Sequence, residues 1–193
     1  MLKGIDHIVV VVPDLDTAIA NYTQLGFTVV PGGKHLSFGT HNALVGFADG
    51  AYIELIAFFQ PNPTHRWSAL LALGGGIVDY CMQSDDMDAD IAAFRHAGIA
   101  MDDKSPLSRT RPDGYQLDWV LSLPNETAGC TPFLIEDFTP RAERVPKQTS
   151  HPNGVTGIGA LTIALDDLAP AHAFGRVAGS AGEAITRPDL NAA

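Results

Sequence analysis

Apolar and polar positions along the chain fall into repeating blocks. Ile8-Val9-Val10-Val11-Val12 is a continuous β-branched run of the kind that makes a buried strand, and Pro13 ends it. Asp14 or Asp16 then caps a helix, with apolar residues at helical spacing from about Thr17 to Leu25. Alternation along the strand predicts that Asp6 and His7 face opposite ways, with His7 on the side of Ile5, Val9 and Val11.

The block returns at a shift of 72 residues. Ile5 through Asp16 falls on Ile77 through Asp88 without a gap, and Leu25-Gly26-Phe27 meets Ala97-Gly98-Ile99, so each copy is strand, acidic turn, helix and glycine stop. A weaker third copy begins near Ile158, with Leu161–Leu165 as its strand, Asp166-Asp167-Leu168 as its turn and Gly179 as its helix stop.

The stretches after the first two helices read as strands. In the first copy these are Phe27–Val30, Asn42–Phe47 and Ala51–Phe58, with turns at Pro31-Gly32-Gly33 and Asp49-Gly50. In the second they are most evident at Gln116–Leu123 and Thr131–Phe138. The predicted fold is α+β. It has a βαβββ module over residues 1–59, a second over 74–139, and a partial third β-α unit over 153–193 packed on the same domain. Gln60–Leu73, with some helix expected, and Pro140–Pro152 are the linkers. The lone third unit also fits a longer protein cut short.

Composition narrows the function. With 193 residues and 46% hydrophobic content the chain can bury a real core, and no apolar run is long enough to span a bilayer. Twelve basic against twenty-two acidic residues give a formal charge of −10 and no basic stripe, which argues against nucleic acid and anionic membranes. With no signal-like N-terminus and two cysteines in no metal-binding spacing, a cytoplasmic location and reduced thiols are expected.

Few polar residues interrupt the strands. Glu54 sits in the otherwise uncharged Ala51–Phe59, and Glu136 in Phe133-Leu134-Ile135-Glu136. A carboxylate in such a place needs a cation, an arginine partner or solvent at a strand end. Two of them in matching strands, with His7 nearby, point to a shared polar pocket. Arg109 and Arg111, at i and i+2 in an extended loop, either orient an anionic substrate or neutralise Glu136, Asp113 or Asp118. Tyr52, Trp119 and Phe133 supply apolar walls or plain core.

These modules resemble the vicinal oxygen chelate superfamily of glyoxalase I, extradiol dioxygenases and bleomycin-resistance proteins, in its glyoxalase-like domain branch. The resemblance rests on Asp6-His7 with Pro13-Asp14-Leu15, Gly32-Gly33-Lys34-His35, Gly39-Thr40-His41-Asn42 and Ala51-Tyr52-Ile53-Glu54-Leu55. It continues in Ser108–Gly114, Pro132–Glu136 and His151-Pro152-Asn153-Gly154.

It implies a cup-shaped sheet, a small-molecule substrate and pairing into a homodimer. Residue by residue, it implies metal ligands at His7, Glu54 and Glu136, with Asp79 where a second histidine would stand. Such a set suits Mn²⁺, Mg²⁺, Fe²⁺, Zn²⁺ or Ni²⁺ rather than copper. Glu54 and Glu136 are then the catalytic carboxylates, with Arg109, Arg111, Asn42, Tyr52 and Trp119 as substrate contacts. His35 and His41 are reserve ligands or exposed loop residues. Two functions follow: a divalent-metal-dependent lyase or isomerase acting on a small oxygenated anion, or a metal-free protein that binds or sequesters a small molecule.

Overall fold

The computed structural model describes residues 1–179. Its core is a closed eight-stranded barrel with helices packed outside. The strands are β1 (Leu2–Val11), β2 (Val30–His35), β3 (Thr40–Gly46), β4 (Tyr52–Phe58), β5 (Gly76–Ser84), β6 (Ser105–Thr110), β7 (Gln116–Ser122) and β8 (Phe133–Asp137). The helices are α1 (Leu15–Gln24), α2 (Ser68–Ala72), α3 (Met87–His96), α4 (Arg141–Arg144) and α5 (Ala169–Ala178). Around the barrel the order is β1-β4-β3-β2-β6-β7-β8-β5.

The 72-residue repeat is written into the pairing. β1 and β5 run antiparallel with His7 opposite Cys81 and Val9 opposite Asp79, a register that exchanges the two copies. β1 lies parallel to β4 with Val9 opposite Glu54, and β5 lies parallel to β8 with Cys81 opposite Phe133. Because the shift carries Val9 onto Cys81, the counterpart of Glu54 is Phe133.

Alternation sorts the side chains. Val9, Val11, Ile56, Leu117, Trp119 and Phe133 fill the inside, joined by Trp67 from the linker before α2. On the outside α1 packs Leu15 and Ala18 against Val10, Ala43 and Leu55. α3 packs Met87, Ile91 and Phe94 against Val120 and Leu134, and α5 joins that cluster through Ala173. Asp14 and Asp86 cap α1 and α3 by accepting from Thr17 N and Ala89 N.

Three expectations change. Phe27–Val30 is not a strand; β2 starts only at Val30, and Pro31-Gly32-Gly33 lies within it beside a bulge instead of turning. β6 supplies a strand that the polar sequence Ser105–Thr110 did not announce. Leu161–Leu165 makes no strand, because a closed barrel leaves no free edge for it, and it runs irregular and largely exposed. The helix after it does form, with Gly179 in the left-handed conformation at its end. The rest of the proposed third unit, residues 180–193, lies outside the described residues.

Candidate active site

The middle of β1 carries the chemistry. The register slips between Ile5 and His7, so Asp6 has no partner on β5 and the alternation breaks there. Asp6 and His7 therefore meet: Asp6 Oδ1 lies 2.7 Å from His7 Nδ1, and both are buried. This corrects the expectation of opposite faces.

Asp6 anchors a cluster of charges. Arg144 Nη1 donates to its Oδ1 at 2.9 Å and Nη2 to its Oδ2 at 2.8 Å, and Arg141 also donates to Oδ2. Arg144 further holds Asp137 and donates to the Tyr52 hydroxyl at 2.7 Å. Burial alone would push the Asp6 carboxyl up, but the Arg144 charge and the hydrogen bonds from His7 and Arg144 hold it well below the usual carboxylate range. An ionised Asp6 keeps the proton on His7 Nδ1 and leaves Nε2 facing inward.

His7 Nε2 stands 3.6 Å from Glu54 Oε2. The other Glu54 oxygen accepts from Asn42 Nδ2 at 2.5 Å, and Asn42 Oδ1 accepts from Gly33 N at 2.9 Å. Tyr52 stacks on the imidazole with ring centres 4.7 Å apart. These groups border a cavity of about 320 Å³ inside the barrel, walled mostly by apolar side chains such as Ile56, Leu107, Trp67, Trp119 and Leu121.

Among the residues picked out from the sequence, His7, Glu54, Asn42, Tyr52, Arg109, Trp119 and the reserve His35 all line this cavity. Burial lowers the pKa of His35, whose Nδ1 lies 3.0 Å from Thr40 Oγ1.

The remaining candidates lie elsewhere. Glu136 faces outward, because inward positions on β8 fall to Phe133 and Ile135, and it accepts from Met87 N at the start of α3 at 3.3 Å. Asp79 is buried but engaged, accepting from Trp67 Nε1 at 3.0 Å, Tyr80 N at 3.0 Å and Gly129 N at 3.2 Å, with Arg66 Nε at 3.3 Å. Arg111 follows the end of β6, so alternation with Arg109 stops there, and it bonds Asp113 and Glu143 outside the cavity. His41 packs edge-on to Phe59 and does not border the cavity.

The sequence reading missed Asp6, Arg66, Trp67 and Arg144. A cluster of arginines in Pro140-Arg141-Ala142-Glu143-Arg144 was the available signal, since bases are scarce in this chain.

A glyoxalase-like domain model matches residues 5–177, nearly the whole chain. The chain belongs to the glyoxalase-like domain family. That places it in the vicinal oxygen chelate superfamily, as the barrel of paired modules leads one to expect.

Solved structures share this fold at low identity. A hypothetical protein from Staphylococcus aureus matches with a TM-score of 0.60 and 17% identity over 75% of this chain and 62% of its own, so the chain spans less than two thirds of it. Methylmalonyl-CoA epimerase from Mycobacterium tuberculosis matches with a TM-score of 0.55 and 24% identity over 74% and 92%. A variant of the Streptomyces coelicolor methylmalonyl-CoA epimerase, in complex with 2-nitronate-propionyl-CoA, matches at 0.53 and 21% over 72% and 100%. No curated protein matches.

The glyoxalase-like barrel can be tested for a metal from its donors. Among the described residues, Asp6, His7 and Cys81 form a possible cluster, with one ligand-type atom from each within 4.8 Å of the others. Both Asp6 oxygens already accept from guanidinium groups, and burial pushes the Cys81 thiol well up. Toward the cavity His7 Nε2 and Glu54 Oε2 stand together, with His35 also in the lining. The expected four-ligand centre does not fit: Phe133 occupies the mate position of Glu54, Glu136 faces out, and Asp79 is capped by Trp67 and Arg66.

Proposed function

We propose that this glyoxalase-like protein binds a small oxygenated anion inside its barrel and moves a proton on it, in the lyase or isomerase class. The observation that carries the reading is the buried Glu54–His7 pair on the cavity wall, with Asn42 fixing one carboxylate oxygen and Asp6 fixing the imidazole.

Glu54 acts as the base. Its free oxygen takes a proton from a carbon beside a carbonyl, and the electron pair of that C–H bond moves onto the carbonyl oxygen. Returning the proton to the same carbon inverts or exchanges it; returning it to a neighbouring atom isomerises the ligand. His7 Nε2, backed by ionised Asp6, takes up the proton from Glu54 or hands one back. No step runs through a metal, and metal analysis of protein purified without chelator is expected to find substoichiometric amounts, unchanged in Glu54→Ala.

A panel of small carbonyl compounds in D₂O, followed by NMR, tests this. Wild type should exchange the hydrogen beside the carbonyl of a bound compound, and Glu54→Gln should lower that rate by about 10²–10⁴-fold. Equal rates in the two proteins would overturn it.

A second reading, binding or sequestration without turnover, is favoured by the second half of the barrel, where Phe133, Trp67 and Arg66 replace ligands with packing. Bound compounds that never exchange would decide for it.

A further inference from the structure

Arg109 is the most unusual side chain in the cavity. It is 5% exposed, lines the cavity from the penultimate pair of the β6–β7 ladder, and makes no hydrogen bond or ion pair with any of the described residues. Of the other cavity guanidinium groups, Arg144 is paired with Asp6 and Asp137, and Arg66 forms an ion pair with Asp79, although its buried Nε and Nη2 make no hydrogen bond. A buried charge left without a partner is strongly unfavourable, so a fold that keeps one has a use for it.

The surrounding backbone makes room for it. A Cβ on Gly33 would fall 3.0 Å from Arg109 Cγ, 3.1 Å from its Cδ and 2.7 Å from Thr110 O. One on Gly32 would fall 2.0 Å from Asn42 Oδ1. The two glycines of β2 thus admit the Arg109 stem and the Asn42 amide, which holds Glu54, side by side.

The cavity walls around this cation are largely apolar, with Trp119, Trp67, Tyr52, Leu107 and Ile56 among them. Arg109 is bonded to no carboxylate, although the Glu54 charge acts on it across the cavity, so its guanidinium fork is open to a single anionic group. Its volume of about 320 Å³ is at the small end for ligand pockets.

We infer that the ligand of this site is a monocarboxylate with a compact apolar body, its carboxylate forked by Arg109 and its body between Trp119 and Trp67. This rests on the proposed function for the location of the site and names the class of compound it takes. The carboxylate–guanidinium fork orients the ligand, and the ring or branched alkyl group fills the apolar space.

Calorimetry on the full chain with benzoate, phenylacetate and hexanoate, each against its amide, and with succinate as a dianion, tests it. The acids should bind at least tenfold more tightly than their amides and than succinate. Arg109→Leu should weaken acid binding at least tenfold while raising the ligand-free Tm by about 2 °C or more, because an unpaired buried charge is replaced by apolar packing.

Amides binding as well as acids, tighter binding of succinate, or unaltered acid binding in Arg109→Leu would each overturn the inference. The acid–amide comparison needs no variant, so it stands even where Arg109→Leu does not fold. Acids that bind through Arg109 without hydrogen exchange would sink the proton-transfer reading and leave the ligand class standing. Exchange on neutral ketones, unaffected by Arg109→Leu, would do the reverse.

Discussion

The two halves of the barrel share one module and one register, yet the first brings the His7–Glu54 pair to the cavity and the second brings the Arg109 cation. On β1 and β4 the inward positions carry His7, Tyr52 and Glu54 around open space. On β5 and β8 the positions matching His7 and Glu54 carry Asp79 and Phe133, and the linker brings Arg66 and Trp67 onto Asp79. Duplication supplied two equivalent cups; filling one with core residues leaves a single asymmetric cavity. A symmetric metal site needs ligands from both halves, whereas proton transfer beside a carboxylate-binding arginine needs an acid–base pair from one half and a single cation from the other.

The two buried aspartates show this contrast most sharply. Asp6 is surrounded by guanidinium groups that hold its carboxyl well below the usual range, despite burial. Its folded pKa is thus depressed, so its stabilisation is present above the unfolded carboxylate value and lost as pH falls through the folded one. Asp6→Asn leaves Arg144 and Arg141 without their common anion and releases His7. Thermal and urea unfolding at pH 7 should show a loss of about 3–5 kcal/mol, the largest effect expected of any single change here. The gap to wild type should shrink as pH drops below about 4. A loss under about 1 kcal/mol at pH 7 would mean that the arginine cluster is not held by Asp6.

Asp79 should behave in the opposite sense. Burial raises its pKa, and the Arg66 charge with the Trp67, Tyr80 and Gly129 hydrogen bonds only partly counters it. With the folded value raised, the favourable state is the protonated one, complete below the unfolded pKa and lost as pH rises through the folded pKa. Asp79→Asn removes a charge that burial disfavours, but it also gives up one accepting oxygen and leaves Arg66 without its anion. Thermal unfolding at pH 7 should therefore show a loss of about 1–3 kcal/mol, smaller than for Asp6→Asn. If Asp79→Asn proves as costly as Asp6→Asn, the halves are electrostatically alike and the comparison fails.

The repeat, the module order and most of the first half of the site were legible from sequence, because they depend on local periodicity. His7, Glu54, Asn42, Tyr52 and Trp119 all sit on strands whose alternation could be read, and each lines the cavity. The errors came where alternation breaks. A bulge at Asp6 turned it toward His7, the end of β6 separated Arg111 from Arg109, and β8 ran one position out of step with the reading that put Glu136 inside. Arg144 and Trp67 were hidden for a different reason. They reach the site from linkers, and nothing in a linker's composition tells which strand it will cover.

Glu136 gives the smallest expected effect and the most direct check on which face of β8 is functional. Its carboxylate accepts from Met87 N in the first turn of α3, where a negative charge also meets the positive end of the helix. Glu136→Gln keeps an acceptor and loses that charge, a cost of about 0.3–1 kcal/mol in thermal unfolding. Ligand affinity and hydrogen exchange should be unchanged, since the side chain lies across the sheet from the cavity. Were Glu136→Gln to abolish exchange while leaving the fold intact, both modules would have to contribute carboxylates to the chemistry. The second half of the barrel could then no longer be regarded as supplying only packing and the Arg109 cation.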